Sequence, residues 1–340
     1  MNPPLTDASF DLRQLRQFAV LAEECHFGRA AARLAMTQPP LTQASQRLVA
    51  ALGARLFERS QRRVALSPAG AVLLPLARKL LDGADALAPA VRAAAAGLSG
   101  QLRLAFVSSV TYGPLPGWLS GFRSAYPDVA LSLREATLDV QLELFAAGEI
   151  DAGFVLHAPG AVPPGFDHVR VIDEAMVMAL PQGHAALAKR GDAAARLRWR
   201  DVAAEPLVIF PRQIAPSLFD ALVSAYHAGG GTMRVAQQAI QMQTIVNLVS
   251  GGMGVAWVPE SLTHLQRAGV RYARVGGQPG GALRCETSLV WRAGASPVVE
   301  RFVAHVRGGG AKPGISGPPV ADARTRRPTR RQSPADKGVS

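Results

Sequence analysis

Three short amphipathic runs between residues 11 and 53, the last two separated by a three-residue turn, constrain this chain more than any other feature of its sequence. From Asp11, a natural N-cap, the apolar residues Leu12, Leu15, Phe18, Ala19 and Ala22 fall on one helical face. Gly28–Leu34 predicts a second, shorter helix with Ala31 and Leu34 turned inward. After the turn Ala35–Thr37, a third helix opens with Thr37 as its N-cap and Pro39 and Pro40 in its first turn. Proline is tolerated there because the first N–H groups have no intrahelical partner. Leu41, Leu48 and Leu52 then repeat at helical spacing, and Gly53 closes the helix. Two short helices joined so tightly, behind a first, predict a helix-turn-helix.

The residues that follow extend this unit. Leu56 and Phe57 supply plugs for the helical core, and the polar run Ser60–Arg63 between two extended pieces predicts a hairpin, or wing. Ser67-Pro68 then caps a long helix running to about Ala96, with Leu73, Leu76, Leu80, Leu87 and Val91 along it. That stripe has no evident local core, so a second subunit is its expected partner. Pro89 predicts a kink or a late break.

Charge points the same way. The net charge is +12, and residues 1–100 hold 12 basic against 7 acidic residues, while 312–340 hold 7 against 2. The body between is nearly neutral. A basic head on a neutral body suits a protein that meets a polyanion with one end.

After Gly100 the rhythm changes to alternating strands and helices: strands at Gln101–Val107, Val129–Arg134 and Ile150–Val155, and helices at Tyr112–Tyr126 and Val140–Ala147. A comparable alternation resumes at Met176–Leu180, Pro206–Phe210, Leu218–His227, Thr232–Ala236, Thr244–Ser250 and Val255–Val258. This spacing predicts two α/β lobes built on a mostly parallel sheet, with a ligand cleft between them. The expected fold class is α/β overall, with an N-terminal winged helix-turn-helix, a long linker helix and a C-terminal two-lobed ligand-binding domain. The expected boundaries are a flexible lead at 1–10, the winged unit at 11–66, the linker at 67–96 and the two-lobed domain at 101–307. Within that domain lobe one covers about 101–175 and 275–307, and lobe two about 176–274. A disordered basic tail, 308–340, completes the chain.

Several function classes are disfavoured. Two cysteines, Cys25 and Cys285, cannot build a disulfide framework or a four-cysteine zinc site. Both read most simply as packing residues. The opening residues carry charge where a signal peptide needs an apolar core, and no long uncharged apolar run occurs, so a cytoplasmic location without membrane association is expected. No phosphate-binding loop, nucleophile elbow or zinc helix is present, and the seven histidines lack metal-ligand spacing. Gly251–Gly254 follows a helix and precedes a strand, which predicts a helix-ending turn. Neither an enzymatic activity nor a cofactor or metal is expected. The competing reading is a solute-binding or enzymatic two-lobed protein with incidental DNA affinity.

On the third helix, Gln38, Thr42, Gln43 and Gln46 are the solvent-facing polar residues. Gln can bond bidentately to adenine, and Thr offers a hydroxyl and a methyl to base edges. Arg29 and Arg33 on the preceding helix, with Arg59, Arg62 and Arg63 around the wing, are placed to hold phosphates. A plain solvated surface with scattered arginines is the alternative.

The run LRQFAVLAEECHFGRAAARLAMTQPPLTQASQRLVAALGARLFERSQRRVALSPAG resembles the N-terminal module of LysR-type transcriptional regulators, and the resemblance continues to about residue 307. It carries that family's Thr-Gln-Pro-x-Leu-Thr block, then Gly-x-x-Leu-Phe-x-Arg and a Ser-x-x-Gly at the linker. The resemblance implies double-stranded DNA as partner, with Thr37, Gln38, Pro39, Thr42 and Gln43 approaching the groove. It further implies a homo-oligomer, typically a dimer of dimers, and a small metabolite bound between the lobes; RNA polymerase is a further candidate partner. Many members carry Arg where this chain has Gln43, which points to a different operator preference.

In the two-lobed domain, Ser108 and Ser109 leave the first strand where hydroxyls and N–H groups would make a small anion site, or would simply cap the next helix. Thr137, after the second strand, faces the same crevice, and Arg212, after a strand of the other lobe, could pair with a carboxylate. Gln243 and Thr244 open a helix facing the cleft. The closest resemblance is to the branch sensing aromatic and related carboxylates, in which residues aligned with Ser109, Thr137 and Pro211 line the effector site. Ser108 replaces a glycine common there, and Arg212 is not shared throughout. A small organic, possibly aromatic, acid is the expected effector.

Overall fold

A computed structural model describes residues 10–60, 63–188 and 196–309. The expected lead (bar Phe10), Arg62 of the wing and the basic tail beyond Gly309 lie outside the described residues. Two compact units emerge, one holding residues up to 103 with 126–132 and 294–301, the other holding the remainder.

The first unit begins with α1 (Leu12–Glu24), α2 (Phe27–Arg33) and α3 (Gln38–Leu52). Asp11 and Gln14 cap α1 reciprocally, each side chain accepting from the other's backbone N–H. Gly53 ends α3 in the left-handed conformation, at φ 66°. Leu15, Phe18, Leu48 and Leu56 make one apolar cluster, and Leu21, Phe27, Ala30, Ala31 and Leu41 a second. The Phe57 ring lies 5.5 Å from that of Phe18 and 6.5 Å from that of Phe27, joining the two. β1 (Phe57–Ser60) and β2 (Arg63–Leu66) pair antiparallel as the wing.

α4 (Pro68–Ala95) is capped by the Ser67 hydroxyl, which accepts from Gly70 N at 3.0 Å. Two expectations change here. No break occurs at Pro89, the helix continuing through Pro75 and Pro89 to Ala95; both prolines are exposed, so solvent can take up the carbonyls whose N–H partners they remove. Its first half also has a local core after all: Ala77 and Leu81 are buried with Leu15 and Phe18, and Arg16 pairs with Asp85 at 2.9 Å. Cys25 is a further correction, being exposed at the left-handed C-cap of α1 rather than packed.

The rest of the described chain, most of it in the second unit, begins with β3 (Gly100–Phe106), α5 (Leu115–Ala125), β4 (Val129–Glu135), α6 (Leu138–Ala146), β5 (Ala152–His157) and β6 (Asp167–Pro181). Then follow α7 (Ala185–Ala188), β7 (Arg196–Arg198), β8 (Leu207–Ile209), α8 (Pro216–Ala228), β9 (Val235–Gln238) and α9 (Met242–Ser250). β10 (Ala256–Pro259), β11 (Val270–Gly276), β12 (Arg284–Trp291) and α10 (Pro297–Arg307) complete it. The helix expected at 112–126 is α5, which starts three residues later than expected, after a 3₁₀ turn at Ser108–Tyr112.

The sheet order is β4-β3-β5-β12-β6-β11-β7, with β10 also on β6. It is mixed rather than mostly parallel. β3 runs parallel to β5, but β12 is antiparallel to both β5 and β6, and β6 is antiparallel to β10 and β11. The reason is β6: at 15 residues it begins nine residues before the expected strand and passes from the first lobe into the second, and β12 returns alongside it. The first lobe packs Trp118 on Phe154, ring centroids 5.6 Å apart, and Phe122 on Phe302 at 5.1 Å. The second gathers Met178, Leu218, Tyr226, Val246 and Trp257 in a larger core.

Candidate DNA-reading helix and effector cavity

α3 buries Leu41, Ala44 and Leu48 against the other helices. Helical geometry therefore turns Gln38, Pro39, Gln43 and Gln46 outward, and all four are exposed, as is Thr37. Thr42 is half-buried, its hydroxyl donating to Gln38 O at 3.1 Å. Thr37 occupies the N-cap with extended dihedrals but makes no side-chain capping bond, so its hydroxyl is available outward. Arg47, four residues beyond Gln43 on the same exposed surface, adds a cation that the motif-based reading passed over; its i, i+4 spacing from Gln43 is the signal that could have found it.

The flanking arginines are already engaged. Arg33 bridges Glu23 at 2.8 Å and Glu24 at 3.2 Å, and Arg29 reaches the Glu24 carboxylate at 3.3 Å and its carbonyl at 2.5 Å. Glu23 also receives Arg78 of α4 at 2.8 Å, and this contact leads in holding its pKa below the ordinary carboxylate value. Exposed pairs of this kind contribute little net and exchange readily, so a phosphate can displace them. On the wing, Arg59 and Ser60 of β1 stand opposite Val64 and Arg63 of β2; Arg62, between them, lies outside the described residues.

In the second unit, a small cavity of about 30 Å³ lies between the lobes. Four chain segments turn into helix at its wall. Val107 precedes the 3₁₀ turn, Thr137 precedes α6, Ala215 precedes α8 and Gln241 precedes α9; each is the N-cap of its element and each lines the cavity. None makes a side-chain capping bond. Four helix starts thus line one small space, and helix starts are where backbone N–H groups are left to attract an anion. Leu156, Phe210, Ile214, Ile240 and Met242 make the remaining wall largely apolar.

Ser108 and Ser109 also line this space. Ser109 is buried, and its hydroxyl has no hydrogen-bond partner. An unpaired buried hydroxyl costs about 1–3 kcal/mol, which a ligand oxygen would recover. The Thr137 hydroxyl donates to Asp139, leaving its lone pairs for a ligand donor.

The other expected residues stand elsewhere. Pro211 and Arg212 are outside the lining, and the Arg212 guanidinium is closed on Asp220. Gln243 bonds to Tyr112, and Thr244 is exposed outside the cavity. α9 opens at Met242, not at Gln243. That early start puts Ile240, Gln241 and Met242 on the wall and carries Gln243 and Thr244 past it. Among the described residues no group of three or more His, Cys, Asp or Glu could hold a metal, and no helix is long and apolar enough to cross a membrane.

Comparison with known proteins matches residues 12–71 to the family model described as bacterial regulatory helix-turn-helix protein, lysR family, and residues 95–311 to LysR substrate binding domain. The chain is 41% identical over 305 residues to the HTH-type transcriptional regulator IlvR of Caulobacter vibrioides, covering 89% of this chain and 99% of that one. It is 31% identical over 298 residues to the HTH-type transcriptional regulator TcbR of Pseudomonas sp. (strain P51), covering 87% and 98%. Among solved structures, full-length CbnR complexed with its target DNA aligns at a TM-score of 0.75 and 30% identity, covering 89% of this chain and all of that one.

Proposed function

This chain belongs to the LysR family of DNA-binding transcriptional regulators, and from that premise we propose that a small organic acid held between its lobes controls its grip on a specific operator. The observation that carries the effector half is the convergence of four uncapped helix starts and the unpartnered Ser109 hydroxyl on one cavity. Those groups favour a carboxylate, and the apolar remainder favours a compact hydrocarbon body, aromatic or branched, behind it. The carboxylate would lie over Ser109 and the first turns of α6 and α9, with Ser108 and Thr137 beside it.

For the DNA half, α3 enters the major groove with Thr37, Gln38, Pro39, Thr42, Gln43 and Gln46 toward base edges. Arg29, Arg33, Arg59, Arg62 and Arg63 hold phosphates at its flanks, the first two after leaving their internal carboxylates. The exposed residues Val72, Leu76, Leu80, Leu87 and Val91 of α4 support self-association through the linker, toward a dimer of dimers. Such a protein acts in the cytoplasm at a promoter, where RNA polymerase is its further partner.

Titration calorimetry of the full chain with a panel of small carboxylates, benzoate and branched aliphatic acids included, tests the effector reading. Saturable binding that Ser109→Ala weakens supports it; no binding across the panel removes it.

A further inference from the structure

The 3₁₀ turn Ser108–Tyr112 carries the cavity serines at one end and, at the other, a residue tied to the opposite lobe. Tyr112 makes three separate contacts there. Its ring packs on the second lobe's core. Its hydroxyl accepts from Gln243 Nε2 of α9 at 2.5 Å, and its carbonyl accepts from His264 Nδ1–H at 3.1 Å, His264 ending the 3₁₀ turn Glu260–His264. Gln243 is two residues past Gln241 of the cavity wall. The turn itself is stiffened by Thr111, whose hydroxyl donates to Ser108 O at 2.6 Å, and by Gly113 N donating to Val110 O at 3.1 Å.

We propose that Tyr112 is a latch: a positioning residue that pins the first lobe's Ser108–Tyr112 turn to α9 and so holds the cavity mouth at its resting width. A five-residue turn internally bonded at both ends cannot move its serines without moving Tyr112, and Tyr112 cannot move without breaking its bonds to the second lobe. Ligand contact at Ser109 and the spacing of the lobes are thereby one mechanical variable. The regulatory use of the latch rests on the effector reading above; its existence does not.

The phenol oxygen accepts one amide hydrogen, so Tyr112→Phe keeps the ring packing and removes only that bond. Gln243→Ala removes the donor from an exposed position, where misfolding is not expected. Gln243→Glu restores a partner with reversed polarity, because the phenol O–H can donate to a carboxylate. Amide hydrogen exchange of the ligand-free, full-length protein reads the result. Tyr112→Phe and Gln243→Ala each raise exchange in peptides covering 107–114 and 242–250 by roughly three- to tenfold, the head at 12–60 is unchanged, and Gln243→Glu returns most of the protection. Unchanged exchange in both single variants overturns the latch, as does a rise of equal size throughout the second unit, which would report general loosening. If the latch peptides respond but no carboxylate binds the wild type, the latch stands and the effector reading falls; if carboxylates bind and these peptides do not respond, the reverse holds.

Discussion

The guanidinium of Arg212 is closed on the carboxylate of Asp220, Nε to Oδ1 and one Nη to Oδ2, both at 2.7 Å. Each group reinforces the charge of the other, Arg212 raised and Asp220 lowered from their ordinary pKa values by that hydrogen bonding. An arginine engaged bidentately outside the cavity wall is not placed, in this conformation, to anchor an acid inside it. Arg212→Ala is therefore expected to change carboxylate affinity by less than about twofold, while Ser109→Ala lowers it by about tenfold, the worth of one good hydrogen bond to a charged group. Calorimetry on both variants checks this, and the opposite ranking would move the site toward Arg212.

Gly153 sits under the amide of Gln141. A Cβ on Gly153 would lie 2.3 Å from Gln141 Oε1, while that amide's nitrogen donates to Ala136 O at 2.8 Å and Phe154 O at 3.1 Å. Gln141 is fully buried, and moving its amide away would break both bonds. Gly153→Ala is expected to cost about 1–3 kcal/mol and lower the melting temperature by several degrees. Adding Gln141→Ala should cost less than it does alone, since the clash and its cause leave together. Strict additivity in thermal denaturation would contradict this contact.

His157 predicts a pH dependence. Its Nδ1–H donates to Ala158 O at 2.7 Å and its Nε2 accepts from the Ser288 hydroxyl at 2.9 Å, the ring being almost fully buried. Burial pushes its pKa down, outweighing the Ala158 carbonyl and Glu286, whose carboxylate is 4.0 Å away and is itself held by Arg170; His168 adds a smaller downward push. The folded state thus binds this proton less readily than the unfolded chain. Its stabilising contribution is complete above the ordinary histidine value of about 6.5 and is lost as pH falls from there toward the lowered value. Chemical denaturation of the wild type and His157→Gln at several pH values should show a steeper acid-side loss in the wild type. Parallel profiles would assign the dependence to other groups.

Along α4, Leu76 and Leu80 are each 55% exposed, Leu87 65% and Val91 68%. Apolar side chains so spaced and so exposed are expected to be covered in an assembly. Leu80→Asp with Leu87→Asp should shift sedimentation velocity toward the monomer while the melting temperature changes little. An unchanged assembly mass would place the interface elsewhere.

Legibility in the sequence followed the range of the forces involved. The head was readable because its signals are local: Asp11 and Ser67 as caps, Thr37 at a cap position, Pro39, Pro40 and Pro68 in first turns, and Gly53 as terminator all lie within one helical turn of a helix end. Ser109 and Thr137 could be placed because strand ends followed by helix starts face the cleft in such sheets. What failed was long-range or depended on register. Nothing near Asp167 announces that β6 begins there, because its partner β12 lies more than a hundred residues away. Asp220 as partner of Arg212, and Tyr112 as partner of Gln243, likewise exist only once the chain has folded. The start of α9 at Met242, which decides which of its first residues line the cavity, likewise depended on register.

The most direct test of the account is a footprint on the DNA upstream of the protein's own gene, at about 0.15 M salt with excess competitor DNA so that non-specific phosphate attraction is suppressed. The wild type and Gln43→Ala should be compared, with and without an acid that binds the cavity. The account predicts a discrete, roughly dyad-symmetric protection that survives competitor. It should weaken by about tenfold in Gln43→Ala, the scale of one lost base contact, and change in length when the acid is added. Diffuse protection that competitor removes, equal for both proteins and indifferent to the acid, would contradict it.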